Sequence, residues 1–331
     1  RGEAPAEPGP RKVPGMQVLG SNLDVRSADY VANRDAMVEK LEEFEELQSR
    51  ARMGGGQKYI DRHRARGKML VRERIELLID PDTPFLEFST LAAWGSQKPL
   101  GANVVTGIGV IEGVECVISA NDPTSQAGSS NRFTLAKTLR AQDIALQNRM
   151  PLVNLVESGG ADLPDQAEVF LTGGKWFRNL AHMSARGIPT IALVFGNSTA
   201  GGAYVPAMCD YAVLVKEAAK VFLGGPPLVK MATGEESTDE ELGGAEMHSR
   251  ISGLGDYFAQ DEHDALRMGR QIIAHLNFRK AGSGPSMPAD EPVHDPEHLL
   301  GIIPRDLKVP MDMREVLARI LDGSRFDEYK Q

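Results

Sequence analysis

Apolar positions along the chain fall into alternating helical and extended patterns. In residues 27–52, Val31, Val38, Leu41, Phe44 and Leu47 recur at mostly three- and four-residue intervals opposite an acidic face. That spacing predicts a peripheral amphipathic helix, ended by Gly54, Gly55 and Gly56. After a turn and a short extended piece at 81–88, the period shortens to that of strands. Residues 104–111 and 114–119 are β-branched runs joined by Glu112-Gly113, which predicts a tight hairpin. Helical spacing returns over 131–149 through Phe133, Leu135, Leu139, Ile144 and Leu146. A buried strand at 152–156, a helix at 167–186 and a second buried strand at 190–195 follow. The alternation continues with a short helix at 201–208, strands at 211–215 and 220–223, and helices at 261–276 and 313–321. Successive βα units of this kind predict an α/β core with helices covering a sheet. The proline-rich stretch 285–304 reads as a linker.

Composition narrows the function class. With 331 residues, 41% of them apolar and 25% charged, the chain is long and apolar enough for a substantial core. A net charge of −9 argues against nucleic-acid binding through a globally basic surface. Inside this acidic chain, residues 57–75 carry Lys58, Arg62, Arg64, Arg66, Lys68, Arg72 and Arg74 against only Asp61 and Glu73. Such a segment either pairs with the acidic helix before it or receives a phosphorylated ligand.

Cys116 and Cys209 sit in apolar stretches without CxxC spacing, and the histidines show no HExxH, so the sequence offers neither a zinc motif nor a disulfide framework. A reducing compartment is the expectation, the cytoplasm or, in a eukaryote, the mitochondrial matrix. No apolar run approaches the roughly 18 to 20 residues that span a bilayer, so a soluble, membrane-free chain is expected. The opening residues, rich in Pro, Gly and Ala, read as a flexible leader.

Two glycine pairs follow buried strands. The first is Glu157-Ser158-Gly159-Gly160-Ala161-Asp162; the second is Ser198-Thr199-Ala200-Gly201-Gly202-Ala203-Tyr204. At a strand end, a Gly-Gly pair allows close approach of a ligand to bare backbone N–H groups, and a following helix adds its positive dipole end. Preorganised amides suit a developing oxyanion such as a thioester enolate. A plain tight βα turn is the competing reading. Neither a nucleophile elbow, a Walker loop nor a dinucleotide fingerprint is complete.

The segments Gly67-Lys68-Met69-Leu70-Val71-Arg72-Glu73-Arg74-Ile75, Glu157 to Pro164, Thr199 to Ala207 and Phe222-Leu223-Gly224-Gly225-Pro226-Pro227-Leu228-Val229-Lys230 closely resemble the carboxyltransferase (beta) subunit of biotin-dependent acyl-CoA carboxylases. The likeness also takes in Ala232 to Glu236 and Leu242 to Ala245, in the family's order, over about residues 53–331. Within the family, Tyr204-Val205-Pro206 and Gly225-Pro226-Pro227-Leu228 look more like the 3-methylcrotonyl-CoA type than the propionyl-CoA type. The sequence departs from that pattern between Leu171 and Phe177, so a geranyl-CoA or longer acyl-CoA stays open.

The resemblance implies a crotonase-like spiral of ββα units with an N-terminal helical extension. It implies leader 1–26, extension 27–100, acyl-CoA carboxyltransferase domain 101–284, and a linker with the start of a further domain over 285–331. It implies that carboxybiotin from a partner subunit releases carbon dioxide, that the biotin ureido nitrogen takes an acyl proton, and that the enolate captures the carbon dioxide. The thioester oxyanion hole falls on Gly159 and Gly160, flanked by Ser158 and Ala161. Ala200, Gly201, Gly202 and Ala203 line the opposite side, with Gly225 and Pro226 nearby. Lys68, Arg72 and Arg74 are the candidates for coenzyme A phosphates. The implied partners are a biotin carboxylase and biotin carrier (alpha) subunit and further copies in a hexamer, with no metal. Two other functions fit the same turns: an enoyl-CoA hydratase or isomerase using Glu157 or Glu168 as base, and a noncatalytic acyl-CoA-binding assembly subunit.

Overall fold

The computed structural model describes residues 16–279, 288–306 and 308–329. The chain divides into two compact units, residues 48–281 and residues 1–47 with 282–331. In chain order the strands are β1 (Gln17–Val18), β2 (Leu86–Glu87), β3 (Val104–Ile111), β4 (Val114–Asn121), β5 (Leu152–Ser158), β6 (Thr190–Thr199), β7 (Tyr211–Val215), β8 (Lys220–Phe222), β9 (Tyr257–Ala259) and β10 (Arg325–Phe326). The helices are α1 (Ala28–Arg52), α2 (Gln57–Arg64), α3 (Val71–Leu78), α4 (Arg132–Asn148), α5 (Gln166–Ala185) and α6 (Tyr204–Met208). They continue with α7 (Pro226–Thr233), α8 (Asp239–Gly243), α9 (Ala245–Met247), α10 (Glu262–Leu276), α11 (Leu299–Ile302) and α12 (Met313–Leu317).

The larger unit is built on an eight-stranded sheet of order β2-β3-β4-β5-β6-β7-β9, with β8 pairing the far end of β6. β3 and β4 form the expected antiparallel hairpin, turning at Glu112 (φ 50°) and Gly113 (φ 74°). Two left-handed residues match the right-handed strand twist. The Asp80 carboxylate accepts both turn amides at 2.8 Å, and Arg270 holds that carboxylate at 2.9 Å. From β4 onward the ladders are parallel, with α4 and α5 as crossovers. Helices on both faces explain why Ile191 to Phe195 of β6 are fully buried. On one face α3 and α10 pack Ile75, Leu78, Leu266 and Ile273 onto Ile118, Val153 and Leu193. On the other, α4 and α5 pack Ala141, Ala145, Leu180 and Met183 onto Val117 and Leu152. Helix α4 starts where Asn131 Oδ1 accepts from the amides of Phe133 and Thr134, and the Thr134 hydroxyl accepts from the Asn131 amide. That reciprocal cap satisfies the free donors of its first turn.

The smaller unit ties its two segments together. β1 pairs antiparallel with β10, and Ser21 and Arg319 both hydrogen-bond the Glu315 carboxylate, at 2.6 and 2.7 Å. Residues 16–26, expected as the end of a leader, are thus packed, while 1–15 lie outside the described residues. The expected linker is partly ordered too: α11 lies within it, and the carbonyl of Gly301 accepts from Asn33. Residues 285–287 fall outside the description. The apolar stripe of α1 stays open, with Val31, Leu41 and Phe44 exposed.

Candidate functional site

The two glycine turns lie side by side at the carboxyl ends of the neighbouring parallel strands β5 and β6, where α/β sheets bind ligands. Gly160 has φ +98°, closed to other residues without strain, and a Cβ there would lie 3.2 Å from the Thr199 carbonyl oxygen. The first turn is threaded against the loop after β4. Gly159 N–H donates to Ala127 O at 2.9 Å, Ser130 N–H donates to Gly160 O at 2.8 Å, and Asp162 N–H donates to Ser130 O at 2.8 Å. The Gly159 amide is therefore engaged within the fold. The buried Gly160 amide donates to the hydroxyl of Ser158, two residues before it, at 3.2 Å.

The second turn, Ala200–Ala203, is a single 3-10 turn running into α6. Its opening amides have no intrahelical acceptor. Ala200 holds a left-handed φ of 53°, a costly conformation that tends to concentrate at functional sites. Ser198 Oγ donates to Gly202 O at 2.9 Å; Gly201 is exposed, while Gly202 and Ala203 are buried. β8 pairs with Asn197 to Thr199, so Gly225 and Pro226, at the start of α7, follow three residues from that ladder. An aromatic row borders the second turn: Trp176 stacks on Phe177 at 5.6 Å, and Phe177 lies 5.0 Å from Tyr204. Beneath both turns is a small polar cavity of about 20 Å³ touched by Ser158, Gly202, Asn154, Thr138 and Trp176.

Charges beneath the first turn are internally paired. Glu157 ion-pairs with Lys68 and, at 2.8 Å, with Arg74. Arg74 is 1% exposed, lies 4.4 Å from the centroid of the Phe195 ring, and is held by Glu262 through Nε (2.9 Å) and a second nitrogen (2.7 Å). Arg72 is engaged by Glu87, one of its two bonds at 3.0 Å. The cations expected to meet coenzyme A phosphates are thus neutralised by the protein itself, and burial removes Arg74 from any ligand. Exposed Arg62 and Arg66 instead border an open cleft of about 470 Å³, with Tyr59 and His63 on one wall and Thr124 to Ala127 on the other. The loop wall of that cleft ends on Ala127, the residue that anchors Gly159. Burial holds the His63 pKa below the ordinary imidazole value against the opposing pull of Glu157. Farther along the turn, Lys98 clasps Asp162 at 2.7 Å and Asp165 at 3.0 Å.

Among the described residues no group of three or more His, Cys, Asp or Glu is placed to hold a metal ion. Both cysteines are free, and burial pushes the Cys209 thiol up to about 12. No helix among the described residues is long and apolar enough to cross a membrane.

Residues 62–331 match the carboxyl transferase domain. The probable biotin-dependent acyl-coenzyme A carboxylase beta2 subunit of Mycobacterium tuberculosis is 61% identical over 95% of this chain and 59% of its own length. The mitochondrial methylcrotonoyl-CoA carboxylase beta chain of Dictyostelium discoideum is 49% identical over 96% of this chain and 55% of its own. In three dimensions the chain is similar to the beta subunit of P. aeruginosa geranyl-CoA carboxylase, with a TM-score of 0.84 and 42% identity over 93% of this chain and 58% of that one. The chain spans a little over half the length of these relatives.

Proposed function

Because the chain belongs to the carboxyl transferase domain family and has its crotonase-like α/β fold, we propose that it forms the acyl-CoA half of a carboxyltransferase site. The observation that carries this reading is the contact between the two glycine turns, with Gly160 set against the Thr199 carbonyl. On this reading the thioester oxygen lies at the seam of the turns, where the Gly160 amide and the opening amides of Ala200–Ala203 stabilise negative charge as it develops. Gly159 serves by anchoring the turn to Ala127. The cleft beside Arg62 and Arg66 receives the phosphates of coenzyme A, in place of Lys68, Arg72 and Arg74.

The carboxylates flanking the first turn are each ion-paired: Glu157 with Lys68 and Arg74, while Asp162 and Asp165 share the one ammonium of Lys98. Each thus has a cation within 3.0 Å that holds it in an ion pair. Glu168, in the first turn of α5, is exposed and 3.6 Å from Arg132. This arrangement disfavours the hydratase reading and fits a base brought from outside. Carboxybiotin, delivered by a biotin carboxylase and carrier partner, supplies both the carboxyl group and that base. The open edge at Gly201 and Tyr204 suits a tethered group arriving from solvent. A branched or longer acyl group lies along the Phe177–Tyr204 aromatic row, with 3-methylcrotonyl-CoA and geranyl-CoA as the two classes to compare. The whole protein works as a homo-oligomer, a hexamer on the family resemblance, in the cytoplasm or mitochondrial matrix.

The test is carboxylation of an acyl-CoA panel by the full-length protein with its biotinylated partner. Gly160→Pro, which removes an amide donor and cannot hold the left-handed φ of that turn, should lower turnover by at least about 100-fold. Unchanged turnover would exclude the oxyanion role, and hydration of enoyl-CoA without biotin would favour the other enzyme class. Acyl-CoA binding without turnover would leave a noncatalytic assembly subunit.

A further inference from the structure

We propose that Glu157 is a positioning residue, clamped by Lys68, that sets the offset between the two glycine turns. The inference rests on the carboxyltransferase reading of those turns and adds the device that holds them apart.

The parallel ladder between β5 and β6 is regular from Leu152↔Thr190 to Val156↔Val194, and its next pair is Ser158↔Ser198. Between those rungs β5 contributes one residue, Glu157, and β6 contributes three: Phe195, Gly196 and Asn197. Phe195 and Gly196 have no partner in any of the three ladders that β6 makes. A buried bulge of this kind leaves backbone groups in need of partners.

The Glu157 side chain fills that bulge. A Cβ on Gly196 would come within 2.6 Å of Glu157 Oε1 and 2.7 Å of its Cγ and Cδ, so only glycine leaves room for the carboxylate. Lys68 donates to the Phe195 carbonyl at 2.9 Å and to the Glu157 carboxylate, joining the bulged backbone of β6 to the end of β5 through one ammonium group. Arg74 takes the second Glu157 oxygen and passes the connection to Glu262, which also accepts from the Met69 amide at 3.1 Å. The main chain of Glu157 is confined as well. Its amide donates to Asn121 Oδ1 at 3.4 Å, and a Cβ on Gly128 would lie 2.2 Å from its carbonyl oxygen.

Buried Arg74, half-buried Lys68 and two buried carboxylates make this cluster nearly neutral, and removing one member leaves its partners short of a counter-charge. The next residues after Glu157 are Ser158, Gly159 and Gly160, and the fourth after Phe195 is Thr199. The clamp therefore grips both strands within four residues of the Gly160–Thr199 contact. Misplacement of reacting groups by about 1 Å can cost on the order of 100-fold in rate.

The test compares Glu157→Gln, Lys68→Met, the double variant and Gly196→Ala in the full-length protein with its biotinylated partner. Turnover should fall 10- to 100-fold in each single variant while the Kd for acyl-CoA stays within about threefold. The double variant should lose no more than the worse single one, since the two groups act as a unit. Amide hydrogen exchange of the 158–165 peptide should rise in all four while the rest of the sheet stays protected. Gly196→Ala leaves every charge in place, so it tests the clamp even where Glu157→Gln fails to fold. Unchanged turnover and exchange in Gly196→Ala and Lys68→Met would overturn the inference, as would a fall in melting temperature with turnover intact. An inactive wild type would instead sink the carboxyltransferase reading, and the exchange data would still decide whether the clamp orders the turn.

Discussion

Gly160 and Thr199 lie so close that one added methyl group would press on the Thr199 carbonyl, at 3.2 Å. Two turns at the ends of separate strands thereby share one seam. Gly160→Ala keeps the amide donor but adds both that contact and the strain of a left-handed alanine at φ +98°. Destabilisation of about 1 to 2 kcal/mol is expected, with a loss of turnover that exceeds any loss of acyl-CoA binding. Thermal melts and steady-state kinetics on the same preparation measure the two effects.

Arg74 is the buried hub of four charges, so Arg74→Met should be the most destabilising single change in the larger unit. It leaves Glu157 and Glu262 desolvated without their shared cation, at a cost of about 3 to 5 kcal/mol. Chemical denaturation read against the wild type checks this. A cost below about 1 kcal/mol would mean that the two carboxylates find other partners.

Arg62 and Arg66 border the open cleft, while Arg72 is engaged by Glu87. Arg62→Gln with Arg66→Gln should weaken coenzyme A binding at least tenfold, roughly the loss of one charge-assisted hydrogen bond, and flatten its salt dependence. Arg72→Gln should leave it unchanged. Calorimetry at two ionic strengths separates these outcomes, and the reverse pattern would restore the phosphate role to Arg72.

Lys137 is a buried cation that the proposed mechanism does not use. Its ammonium donates to Gly101 O at 3.2 Å, and burial lowers its pKa to about 8 from the ordinary 10.5, against the pull of Glu87. Between those two values the unfolded chain binds the proton and the folded chain does not, so stability rises with pH across that window and the full penalty applies below it. Lys137→Met should stabilise the protein at pH 7 by about 1 to 3 kcal/mol, with a gain that shrinks as pH climbs from 8 toward 10. Denaturation midpoints across that range would show the trend, and a pH-independent difference would refute it.

Much of the framework was legible in the sequence because it is written in local pattern. The β-branched runs around Glu112-Gly113 predicted the β3–β4 hairpin, and the periodicity of 131–149 predicted α4; its Asn131 cap is seen only in the structure. β6 runs four residues past the predicted end at Phe195, because Asn197 to Thr199 pair with β8, a partner that local pattern does not announce. The three-residue strand β9 and the helices α7 and α8 were not predicted, whereas the equally short β8 was read at 220–223. The basic segment 57–75 was visible as charge, yet charge alone does not say which cations the fold neutralises. Lys68 meets Glu157 across 89 positions and Arg74 meets Glu262 across 188, separations at which pairing leaves no sequence signature. The glycine turns were readable as residue types, but the engagement of the Gly159 amide depends on Ala127, which belongs to another loop.

Across the bulge opposite Glu157, β6 spends two residues more than β5 before the strands pair again at Ser158↔Ser198. On the proposed clamp, the gauge of the cleft is written into the strands behind the turns and not into the turns themselves. With the facing of β6 kept, the count changes in steps of two, like the teeth of a ratchet, because a one-residue step would turn every following side chain of β6 to the opposite face. Relatives that keep this unequal count can vary the residues along the cleft and still hold the same distance between its two jaws.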